Sequence, residues 1–111
     1  MLQRSTYLQG DYDLAAFLAE QSAQLFLKYK VFVLTGEVPR TYSIRDLLQI
    51  LARILKVEEK ISSYMRKNRS LLIRLEEAYI ASRYLFRKYE REETEELIVF
   101  AKELIEFVGN L

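Results

Sequence analysis

The chain has 111 residues, half of them apolar, 30% charged and 13% aromatic, with 17 basic and 16 acidic side chains and a net charge of +1. Three Gly and one Pro are too few for the turns of a small sandwich or barrel, so length and composition point to a single helical domain over residues 1–111. The absence of Cys and His excludes a disulfide framework, a thiolate metal site and every Ser–His or Cys–His nucleophile pair.

Met1 to Gln9 has room for two turns of helix, with Leu2 and Leu8 as core contacts, and reads as a short or truncated opening helix before Gly10. Asp11 is a good N-cap for a long helix that Gly36 and Pro39 bring to an end. Leu14, Ala15, Leu18, Ser22, Leu25, Phe26, Tyr29 and Phe32 keep the i, i+3/i+4 rhythm, and predict its buried face. Phe17 and Leu27 widen that face, as in a central helix that meets several neighbours. Ser43 opens the next helix with Asp46 in a capping-box-like position, and Ile44, Leu47, Leu48, Leu51, Ile54 and Leu55 form its stripe. Ile61, Tyr64 and Met65 predict a short helix after Val57, followed by a fresh cap at Ser70 and a helix to about Leu85. The last helix runs from about Glu92 to Val108, with Leu97, Ile98, Ala101, Leu104, Ile105 and Val108 buried and Gly109-Asn110 closing it. The sum is an all-α, up-and-down antiparallel bundle of four main helices plus short pieces. The apolar faces of the long helix from Asp11 and of the last helix exceed the needs of one small bundle, which predicts a homodimer.

The near-neutral charge hides a segregation. Residues 1–39 carry net −1, residues 40–91 net +7 and residues 92–111 net −5. A basic middle attracts phosphate, unless the acidic last helix neutralises it within the fold. Arg66, Lys67, Arg69, Arg74, Arg87 and Lys88, with Arg91 beside them and Tyr64, Tyr84 and Tyr89 interleaved, are the candidate anion or RNA patch. The pairs Glu58-Glu59, Glu76-Glu77 and Glu95-Glu96 point apart on a helix and read as surface charge. The three glycines are isolated, so no phosphate loop exists. No secretory leader or apolar span is visible, the expected location is cytoplasmic, and no cofactor, metal or membrane contact is expected.

Several segments resemble HEPN domains, the helical domains named for nucleotide binding in higher eukaryotes and prokaryotes. Gly10-Asp-Tyr-Asp-Leu-Ala-Ala-Phe-Leu-Ala-Glu-Gln-Ser-Ala-Gln-Leu-Phe-Leu-Lys28 resembles that family's second helix. Pro39-Arg-Thr-Tyr-Ser-Ile44 with Leu47-Leu48 is similar to the segment opening its third. Leu75-Glu-Glu-Ala-Tyr-Ile-Ala-Ser-Arg-Tyr84 is similar to its aromatic–aliphatic turn ending in Arg-Tyr, and Tyr89 before Glu92-Glu93 to the start of its last helix. The resemblance covers about residues 8–108. It implies nucleotide or RNA contact, or pairing with a minimal nucleotidyltransferase in a toxin–antitoxin-like system. The departures are specific. The family's Gln-x-x-Glu-x-x-x-Lys pattern reads here as Gln21, Gln24 and Lys28, and the family's usual His is missing from Thr41-Tyr42-Ser43. Ribonuclease members of the family use an Arg followed four to six residues later by His. Here the nearest echo is Arg83 and Tyr89, and a Tyr with pKa ~10 is a poor base at neutral pH. The expected function is therefore a non-catalytic module, with a purely structural homodimer as the alternative and a ribonuclease toxin disfavoured. Gln21 and Lys28 share a helix face two turns apart, and with Arg83 and Tyr84 they are the candidate ligand-binding residues. Read structurally, the same residues are a polar seam in which Glu20, Gln21 or Gln24 holds Arg83.

Overall fold

The computed structural model describes residues 12–84 and 88–111, and of residues 83 and 84 the backbone alone. Five helices follow in order: α1 Tyr12–Thr35, α2 Ile44–Leu55, α3 Glu58–Lys67, α4 Arg69–Tyr84 and α5 Arg91–Gly109. They form an all-α, up-and-down antiparallel bundle, with no strand among the described residues. α1 is the central element and packs against α2, α4 and α5. Its 24 residues span ~36 Å. Met1–Asp11, including the expected opening turns and the Asp11 cap, lie outside the described residues.

Local signals set the helix ends. Gly36 takes φ +81°, a left-handed conformation, and its N–H donates to the Phe32 carbonyl at 2.7 Å. Ser43 caps α2, its Oγ accepting from the Asp46 N–H at 3.2 Å. The return half of the capping box runs through Thr41 instead. The Ser43 N–H donates to Thr41 Oγ1 at 3.1 Å, and Thr41 Oγ1 donates to Asp46 Oδ2 at 3.1 Å. Lys56 ends α2 at φ 58°. The expected new cap at Ser70 falls inside α4. The break comes at Asn68, whose carbonyl already accepts from the Leu72 N–H at 2.9 Å, so α4 starts at Arg69.

The stripes of α2 and α5 face the core much as their periodicity requires. Ile44, Leu47, Leu48 and Leu51 of α2 are buried, as are Leu97, Ala101, Leu104 and Val108 of α5. On α1 the expected face is largely the wrong one, although Leu27 is buried and Phe26 packs on the core. Ala16, Ala19, Glu20, Ala23, Gln24, Leu27 and Val31 point inward. Leu14, Leu18, Leu25, Tyr29 and Phe32 lie on the opposite side, 47% to 61% exposed. The reason is spacing. Helix axes pack 8–10 Å apart, and a central helix approached from several directions accommodates small side chains best. Most of the large apolar residues of α1 are thereby left outside, with Leu27 the buried exception, as the periodicity of size alone does not reveal.

Candidate functional site

Of the polar residues singled out in the sequence, Glu20, Gln21, Gln24 and Lys28 lie along one edge of α1, where it crosses α4 and the approach to α2. Glu20 is fully buried. Gln21 donates from Nε2 to Glu20 Oε1 at 2.8 Å, and Gln24 donates from Nε2 to Glu20 Oε2 at 2.7 Å. The acid absent at position 24 is thus present one turn earlier, bonded to the Gln24 amide. Lys28, two turns beyond Gln21, places Nζ 5.0 Å from the centre of the Tyr42 ring. Tyr42 stacks on Tyr79 of α4 at 5.3 Å between centroids, and Tyr79 stacks on Phe17 at 6.4 Å. The seam therefore runs from amides around a buried carboxylate to a cation over an aromatic column. The Arg83 and Tyr84 side chains, and Arg87, lie outside the described residues.

Burial pushes the Glu20 carboxyl above its usual range, and repulsion from Glu76 adds to this. The two amide hydrogen bonds and Lys28 pull the other way. The sign follows directly. A carboxyl whose folded pKa is raised binds protons more tightly folded than unfolded. Its contribution is complete below the unfolded value near 4.5 and is lost as pH rises through the folded value. Glu20→Gln removes the buried charge. We expect it to exceed the wild type in stability by about 1 kcal/mol at neutral pH, with the difference vanishing toward pH 4. Thermal melts of both proteins across that range check this, and a loss of stability at neutral pH would contradict it.

Sequence reasoning missed Glu76, which it placed on the surface. Its carboxylate in fact anchors the N-terminus of α2. Oε2 accepts from Ser43 Oγ at 3.0 Å and from the Arg45 N–H at 2.8 Å, and Oε1 accepts from Arg45 Nε at 3.1 Å and Nη2 at 2.8 Å. The hydrogen bond to Glu76 raises the Arg45 pKa further above its ordinary value. Capping signals near Ser43 were readable, but nothing local announces a partner 31 residues away.

The basic patch is distributed over different faces. Arg66 and Arg69 line a groove of about 540 Å³ between α2 and α3, joined there by Arg45 and Arg53. Arg74 lines a different groove, of about 800 Å³, rimmed by glutamates of α5, and pairs with Glu96 at 2.7 Å. Neutralisation of the basic middle by the last helix therefore operates at Arg74. Lys67 and Lys88 are exposed, and so is Arg91, which pairs with Glu95. Two of the interleaved tyrosines, Tyr64 and Tyr89, turn inward. Tyr64 stacks on Phe107 at 3.9 Å, and burial raises its phenol to about 12. Tyr89 is 6% exposed, with its N–H donating to Asp13 Oδ1 at 3.3 Å.

The chain matches the family model of the HEPN domain over residues 4–111. It belongs to the HEPN domain family. Comparison with curated proteins and with solved structures found no match. HEPN proteins are in general nucleotide- or RNA-related, and the helical bundle described above fits that family. No helix among the described residues is long and apolar enough to cross a membrane.

Proposed function

We propose that this HEPN chain is a non-catalytic binding module that acts as a homodimer and contacts nucleotide or RNA, on its own or paired with a minimal nucleotidyltransferase. Dimerisation is supported by the outward face of α1. Leu14, Leu18, Gln21, Ser22, Leu25, Tyr29, Phe32 and Val33 follow one another along it, with Lys28 at the edge beside Gln21 and turned onto the Tyr42 ring. The apolar members are about half exposed. Eight partly exposed side chains of this size offer on the order of 800 Å² per protomer, the share of a standard interface. A second copy meets this face with the same uncharged centre, so pairing about a two-fold axis strands no charge there.

Ligand binding is supported by family membership, the observation that carries the reading, and by the arginines in the α2–α3 groove that no described carboxylate pairs with. A binding role without chemistry is supported by the absence of His and by the burial of Tyr89, which keeps its hydroxyl away from solvent and from a substrate. Filter binding of labelled ATP and RNA across a salt series tests the ligand reading. Affinity is expected to fall as salt rises, as phosphate contacts require. A chain that dimerises yet binds neither ligand at low salt would instead be the purely structural homodimer.

A further inference from the structure

We propose that the groove between α2 and α3 binds the phosphate group of a nucleotide, either free or within a single RNA strand. This deepens the nucleotide and RNA reading and rests on it. The groove's volume, about 540 Å³, lies within the usual range for small-ligand sites. Four arginines line it, Arg45, Arg53, Arg66 and Arg69, against two carboxylates, Asp46 and Glu58. Arg45 is held by Glu76, and Asp46 accepts from Thr41. Among the described residues, Arg53, Arg66 and Arg69 pair with no carboxylate. Three guanidiniums around one concavity repel one another, and a phosphate between them removes that cost while offering several acceptor oxygens to their planar donors. Arg66 is already oriented, since its Nη1 donates to Ser62 Oγ at 2.9 Å.

The floor of the groove has a different chemistry. Ala52 and Ile61 are buried and Met65 is half-buried, an apolar and polarisable surface against which a base or ribose packs. A charged rim over an apolar floor fits a nucleotide better than it fits bare phosphate. The three arginines are contributed by α2, by α3 and by the first residue of α4. The helical turn at Asn68 brings the last two to the same groove.

The test is fluorescence anisotropy at about 50 mM salt, where phosphate contacts are strong, with fluorescent AMP and a labelled short oligouridylate as probes and inorganic phosphate as competitor. The proteins are the wild type, the triple variant Arg53→Gln, Arg66→Gln, Arg69→Gln, and Lys102→Gln as a control on α5. All four positions are exposed, and circular dichroism verifies the fold of each variant. The wild type and the control are expected to bind, and the triple variant to bind at least tenfold more weakly. Binding of AMP identifies the free nucleotide as the source of the phosphate, and binding of the oligonucleotide alone identifies the RNA strand. Unchanged affinity in the triple variant would overturn the groove while leaving the nucleotide and RNA reading in place. If the wild type binds neither probe, both fall.

Discussion

Glu76→Ala is expected to cost about 3 kcal/mol of unfolding free energy, the sum of a lost helix cap and of charge-assisted hydrogen bonds whose donors lose their acceptor. Glu76 accepts four hydrogen bonds from Ser43 and Arg45, and its side chain is 12% exposed. Arg45 is 39% exposed, so water takes over part of its guanidinium and limits the loss. The Arg45 N–H has no such compensation within the first turn of α2. Local disturbance should therefore accompany the global one. Amides of Arg45 and Asp46 are expected to exchange with solvent faster than those of Leu51 and Ala52. Urea unfolding and hydrogen exchange read the two effects. A double-mutant cycle with Arg45→Ala separates the ion pair from the cap, and a coupling near zero would show that Glu76 acts through the backbone alone.

Leu18→Glu combined with Leu25→Glu is expected to convert the dimer to a monomer, weakening association at least 100-fold. Both side chains are more than half exposed and point away from the core. Two carboxylates per protomer placed on an apolar face meet their own copies across a two-fold axis, and the one flanking cation, Lys28, is held over the Tyr42 ring. The fold of the chain should survive, because the buried face of α1 is unchanged. Sedimentation is expected to give twice 13.2 kDa for the wild type and 13.2 kDa for the variant, with equal helical signal. A wild type that sediments as a monomer at micromolar concentration would remove the dimer.

The regular parts of this fold were legible because their signals are local. Ser43 with Asp46, Gly36 before Pro39, and the stripes of α2 and α5 each occupy a few neighbouring positions. α1 misled because it is apolar on two faces, and size favoured the outer one. Its inner face is built from Ala16, Ala19 and Ala23 with the polar Glu20 and Gln24, a pattern that looks like a weak helix until three neighbours are packed against it. The candidate site was legible in part. Gln21 and Lys28 do lie along one edge of α1, which the two-turn spacing required. Glu20 as the acceptor of both amides follows only from its burial, and Glu76 only from a tertiary contact. The charge run around Arg66 to Arg74 is divided by the helical turn itself. Arg69 and Arg74 are five apart, too far round the helix to share a face, and so they end in grooves of opposite charge.

The reading proposed for this HEPN chain is binding of a phosphorylated ligand without its transformation. Incubating the protein with end-labelled single-stranded RNA at low salt, then dividing the sample between a native and a denaturing gel, tests it most directly. Retarded RNA on the native gel and full-length RNA on the denaturing gel are expected. RNA that is cleaved, or that migrates unretarded at every protein concentration while labelled AMP also stays unbound, would contradict that reading.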